Sequence, residues 1–100
     1  MIEKICNLNE VQESIAISKE INGKKIAIVK SGNEIFAFDD ECTHKRFPLS
    51  EGFVEGNVIE CSHHGARFDM RDGKVLALPA EAPLKVYKTT VKGEEVLIEI

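Results

Sequence analysis

Two short runs constrain this chain more than anything else in it. Cys42-Thr43-His44 is followed, after sixteen intervening residues, by Cys61-Ser62-His63-His64. Two Cys-plus-His pairs on separate loops can close around one metal centre, and closure brings those loops side by side. The surrounding stretch suits loops. From Asp40 to about Ala82 apolar residues are sparse, Gly52, Gly56, Gly65 and Gly73 punctuate the run, and Pro48, Pro79 and Pro83 fall in or beside it. Function commonly sits on loops held by a rigid scaffold.

The flanks read as that scaffold. Ser14 to Ile21 places Ile15, Ile17 and Ile21 on one face at period two, the spacing of a half-buried strand. Asn22-Gly23 then supplies the pair that tolerates positive φ in a type I′ hairpin. Lys25 to Lys30 is the partner strand, with Ile26 and Ile28 on one side. Ser31-Gly32-Asn33 is a second turn, and Glu34 to Asp39 a third strand with Phe36 and Phe38 on one face. Near the end, Leu84 to Val91 and Val96 to Ile100 are expected to pair around Lys92-Gly93-Glu94-Glu95, with Val96, Ile98 and Ile100 alternating. The one helical candidate is short, Asn9 to Glu13, with Asn9 as N-cap. The reading is an all-β single domain over 1–100. Its base comes from both chain ends (1–39 and 83–100), and a lobe over 40–82 is inserted between them.

Composition narrows the classes. One hundred residues make one domain with a small core, which ligand bonds to a metal would help hold. A formal net charge of -4 argues against a nucleic-acid binder, which shows a basic face. The N-terminus has no apolar h-region, and no apolar run reaches the ~18–20 residues that cross a bilayer. Three cysteines, an odd number without an export signal, do not read as a disulfide framework. A reducing cytoplasm leaves them available for metal. Cys6, far from the others, reads as a small buried apolar residue. Asp39-Asp40-Glu41 reads as a solvated turn.

The four ligand candidates fit two kinds of centre. A tetrahedral zinc accepts two cysteines and two histidines. A [2Fe–2S] cluster of the mixed-ligand kind takes two cysteines on one iron and two histidines on the other. Here each loop offers one Cys and one His, which suits two metal ions, and the spacing is also compatible with a single zinc.

Cys42-x-His44 with Cys61-x-x-His64-Gly65 resembles the signature of the Rieske ferredoxins. The likeness continues through Pro48-Leu49-Ser50-Glu51-Gly52, Phe68-Asp69, Gly73, Pro79-Ala80 and Pro83-Leu84-x-x-Tyr87. It implies three stacked antiparallel sheets with one [2Fe–2S] cluster at the tip of the inserted lobe, held by Cys42, His44, Cys61 and His64. It makes Pro79 part of a third loop over the cluster. His63 repeats the Cys-x-His spacing, but the family places its histidine directly before glycine, so His64 is the expected ligand and His63 a rim residue. Lys45, Arg46 and Phe47 stand where small residues are common in the family. Lys45 and Arg46 would make the tip locally basic and available for docking.

The resemblance also bears on redox tuning. High-potential relatives carry a disulfide between the ligand loops and hydroxyl donors to the cluster sulfurs. This chain has Phe47 and His63 in place of those cysteines, and Ala66 and Phe68 in place of the hydroxyls. It is therefore similar to the low-potential ferredoxins of oxygenase systems. The implied role is a one-electron carrier between a flavoprotein or ferredoxin reductase and a terminal oxygenase, cytoplasmic, without nucleic acid or membrane. No mononuclear iron domain follows before Ile100, so an oxygenase in its own right is not expected. Two other classes stand beside this reading: a small Rieske subunit of a larger redox enzyme, of nitrite reductase type, and a structural zinc module. Thiolate catalysis by Cys42 or Cys61 explains two matched pairs less well than a metal does.

Overall fold

The computed structural model describes residues 2–43, 47–62, 65–78 and 82–100. In chain order the strands are β1 (Ile2–Asn7), β2 (Ile17–Ile21), β3 (Lys24–Ser31), β4 (Glu34–Asp39), β5 (Phe53–Glu55) and β6 (Val58–Glu60). They continue with β7 (Arg67–Asp69), β8 (Val75–Ala77), β9 (Val86–Tyr87), β10 (Thr89–Lys92) and β11 (Glu95–Glu99). They form three antiparallel sheets, ordered β1-β11-β10, β2-β3-β4-β9 and β5-β6-β7-β8. The all-β expectation of three sheets holds. The first and last strands pair with each other, so both chain ends build one sheet.

The middle sheet is the partition between two cores. Side chains alternate across a strand, and β3 is apolar on both faces. Ile26 and Ile28 join Ile5, Cys6, Ala37, Tyr87, Val96 and Ile98 on one side. Ala27 and Val29 face the other side, with Phe36, Phe38, Leu49, Ile59, Phe68 and both Cys42 and Cys61. Removing each such large side chain from water contributes about 1.5–3 kcal/mol. Asn22 (φ 52°) and Gly23 (φ 80°) are both left-handed, as the hairpin between β2 and β3 requires. Cys6 is buried as a small apolar residue, and burial, with Glu10 nearby, pushes its thiol pKa up.

Several expectations need correction. The second strand starts at Ile17, not Ser14. Ser14 is left-handed (φ 59°) and donates its N–H to the Lys30 carbonyl, and Gln12 bridges Ile15 in a tight turn. That turn leaves Ile15 exposed and off the face of Ile17 and Ile21. The helical candidate is one 3-10 turn, Leu8–Glu10, capped by Asn7 rather than Asn9. The Glu10 carboxylate accepts the Asn7 N–H at 2.7 Å. The expected strand Leu84 to Val91 is two strands in different sheets: β9 pairs with β4, and β10 with β11. The change of partner falls at Lys88, whose carbonyl accepts the Glu99 N–H at 3.0 Å. Val96 and Ile98 are buried as expected, but Ile100 is partly exposed.

The loop-rich middle is more ordered than its composition suggests. Strands β5 to β8 have three residues each, too short to show a period. Each sends one apolar side chain inward, and the register aligns them: Val54 opposite Ile59, Ile59 opposite Phe68, Phe68 opposite Val75. Backbone closeness does the rest. A Cβ on Gly52 would lie 2.1 Å from the Glu60 carbonyl oxygen. At Gly73, with φ +82°, it would lie 1.8 Å from that of Leu84, whose N–H donates to the Gly73 carbonyl at 2.8 Å. Asp39-Asp40-Glu41 is not simply a solvated turn. Asp40 is buried and Asp39 accepts the Tyr87 hydroxyl hydrogen, because both carboxylates hold neighbouring segments. Among the described residues no helix is long and apolar enough to cross a membrane.

Candidate metal centre

Cys42 and Cys61 each begin a loop just beyond a strand, β4 and β6 respectively. The two loops are built alike. The Cys42 N–H donates to the Phe47 carbonyl at 2.8 Å, and the Cys61 N–H donates to the Ala66 carbonyl at 2.8 Å. Each cysteine therefore closes a loop on the residue five positions on. In the second loop the Cys61 carbonyl also accepts the Gly65 N–H at 3.1 Å, with Gly65 left-handed at φ 75°. The matched construction turns two distant sequence positions into equivalent places in the fold.

Both cysteines are about 1 % exposed and belong to one apolar core with Leu49, Ala66, Phe68 and Leu84. Phe47 packs on its edge. Neither is in a disulfide. A metal's positive charge makes a thiolate an effective ligand even where water is excluded. Two free cysteines at equivalent loop positions in one apolar core therefore fit an iron–sulfur group that draws two thiolates from two loops. Ala66 and Phe68 are fully buried and bring no hydroxyl to this core. His44, Lys45, Arg46, His63, His64 and Pro79 lie outside the described residues.

Three pairs of residues hold the neighbourhood through four hydrogen bonds. The Thr43 hydroxyl donates to the Ala82 carbonyl at 2.8 Å, tying the first loop to the segment after Pro79. The Asp40 carboxylate accepts from the Ser50 N–H at 2.6 Å and from the Ser50 hydroxyl at 2.8 Å. Arg67 donates to Glu60 at 2.6 Å across the base of the second loop, an exposed pair. Sequence reasoning passed over Thr43, Asp40 and Ser50. Asp40 was hidden inside a run of like charges, and its place two residues before a ligand candidate was the available signal.

The model of the Rieske [2Fe–2S] domain matches residues 2–88. The biphenyl dioxygenase ferredoxin subunit of Pseudomonas sp. (strain KKS102) is 40 % identical over 97 residues, covering 96 % of this chain and 89 % of that one. The Sphingomonas yanoikuyae B1 ferredoxin superposes with a TM-score of 0.93 at 28 % identity, covering 100 % of this chain and 99 % of the other. A ferredoxin solved in a complex of reduced oxygenase and oxidized ferredoxin in carbazole 1,9a-dioxygenase superposes at 0.87 with 32 % identity, covering 97 % and 91 %.

Proposed function

Because this chain belongs to the Rieske [2Fe–2S] domain family, we propose that it is a ferredoxin that receives single electrons from a reductase and delivers them to a terminal oxygenase. The observation that carries the reading is the pair of buried, reduced cysteines on matched loops, in a chain similar over nearly its whole length to a dioxygenase ferredoxin subunit. Cys42, His44, Cys61 and His64 would hold the cluster, the cysteines as thiolates and the histidines as neutral imidazoles. The bound [2Fe–2S] cluster supplies a one-electron couple whose potential rises as imidazoles replace thiolates.

The chain's own residues do the remaining work. Leu49, Ala66, Phe68 and Leu84 keep water from the cysteine side. Gly65 permits the left-handed turn that returns the second loop to β7. On the family's pattern Lys45 and Arg46 would supply charge for docking. Such charge acts mainly on association rate and is weakened by salt. The 40–82 segment serves as the redox lobe on a base made from 1–39 and 83–100. The protein is an electron-transfer component rather than a catalyst, and it works in the cytoplasm beside its oxygenase.

A redox titration of the purified protein, followed by EPR, tests this. One electron per chain is expected, with a potential near the low end of the Rieske range, roughly -150 mV. Phe68→Tyr raises the value where the new hydroxyl reaches a sulfur. A wild-type potential well above zero contradicts the low-potential reading, and a protein that takes up no electron contradicts the carrier role.

A further inference from the structure

The two cysteine loops are closed by the same backbone bond, but the segments leading into and out of them differ. Below the second loop the chain runs into a ladder: Glu60 opposes Arg67, Ile59 opposes Phe68 and Val58 opposes Asp69. A hairpin of this kind fixes the loop's span through backbone hydrogen bonds. Below the first loop there is no such ladder among the described residues. Strand β4 ends at Asp39 and pairs with β3 and β9. The returning chain is Pro48, which has no N–H, followed by a single 3-10 turn, Leu49–Glu51.

A side chain bridges that gap. Both oxygens of the Asp40 carboxylate are engaged by Ser50, one by its N–H at 2.6 Å and one by its hydroxyl at 2.8 Å. Asp40 also donates its own N–H to the Lys25 carbonyl in β3, at 3.0 Å. Its residue is only 5 % exposed. The clamp thus joins the two flanks of the first loop and moors them to the middle sheet. Hydrogen bonds to a charged acceptor are the stronger kind, and losing one partner of a buried pair leaves the other unsatisfied.

We propose that Asp40 is a positioning residue for the first ligand loop, its carboxylate holding the Ser50 backbone where the second loop uses a strand pair. The proposal rests on Cys42 and His44 being ligands. The Asp40 side chain does not touch the iron. It fixes the span over which those two residues present their donors.

The test follows loss of visible absorbance from the purified holoprotein under excess chelator, together with the EPR line width of the reduced protein. Asp40→Ala shortens the half-life of the colour about tenfold, equivalent to ~1.4 kcal/mol, and broadens the EPR lines because the first loop samples several spans. Asp40→Asn keeps an acceptor for the Ser50 N–H and recovers most of both properties. Ser50→Ala, which removes only the hydroxyl bond, falls between. Glu60→Gln, at the ladder-closed second loop, changes the half-life by less than about twofold, as expected of an exposed pair. Wild-type half-life and line width in Asp40→Ala overturn the proposal. So does a result in which Asp40→Asn is as damaging as Asp40→Ala while line widths stay unchanged, since that marks a general loss of stability. If Asp40→Ala does not accumulate, Ser50→Ala decides: a shortened half-life with broadened lines supports the clamp, and wild-type behaviour overturns it. A wild-type protein without iron and sulfide overturns the ligand reading itself, and is told apart by metal analysis before any variant is made.

Discussion

The middle sheet and the small sheet beside the cysteines solve the same problem by different means. Strand β3 runs for eight residues and is apolar on both faces, so it stands on side-chain burial. Strands β5 to β8 run for three residues each and contribute one inward side chain apiece. Their register depends on a row of four side chains and on backbones brought close enough that only glycine fits. The first kind of sheet loses stability in step with the side-chain volume a substitution removes, without losing its register. The second has little side-chain area to spare and is sensitive to single atoms of backbone.

A pair of substitutions breaks the comparison if it is wrong. Gly52→Ala forces a Cβ to within 2.1 Å of the Glu60 carbonyl, one residue before Cys61. Its backbone has φ -87°, so the cost is overlap and not conformation. We expect a loss of about 3 kcal/mol together with a sharp fall in iron content, because β5 and β6 must part. Ile28→Ala removes a fully buried side chain from the other core and also costs about 3 kcal/mol. It leaves iron content near wild type. Denaturant titration paired with iron analysis separates the two, and equal iron loss in both variants erases the distinction.

The same contrast explains what was legible in the sequence. Strands β3 and β4 were readable because each is a run of four apolar residues bounded by polar ones, and Asn22-Gly23 and Ser31-Gly32-Asn33 mark the turns. The chain-end pairing of β1 with β11 carried no local signal, since register between distant segments is set by packing. The break at Lys88 was invisible for a related reason. Leu84 to Val91 keeps strand-like composition throughout while its partner changes from β4 to β11. At the site, cysteine and histidine types and their spacing announced the metal chemistry. Asp40 and Ser50 did not announce themselves, because a buried carboxylate clamp looks like any acidic turn until its partner is known.

A smaller effect sharpens the view of the middle sheet. Burial and the hydrogen bond to Asp39 push the Tyr87 phenol well above its usual pKa. The unfolded chain releases this proton near pH 10, while the folded protein keeps it. Below pH 10 the contribution of this neutral, hydrogen-bonded phenol is fully present. Above pH 10 the unfolded state binds fewer protons than the native one, so stability falls by about 1.4 kcal/mol per pH unit from this group. Tyr87→Phe is less stable at neutral pH and lacks that part of the alkaline slope. Urea midpoints for both proteins between pH 8 and 11 check it, and identical slopes remove Tyr87 from the account.

The ligand set is the central claim, and metal analysis of two neighbouring variants tests it most directly. Wild type and His63→Ala are each expected to contain two irons and two inorganic sulfides per chain and to share one EPR spectrum when reduced. His64→Ala is expected to lose both iron and sulfide. Iron and sulfide retained in His64→Ala but lost in His63→Ala contradict the assignment, and stoichiometric zinc without sulfide in the wild-type protein contradicts the electron-carrier account as a whole.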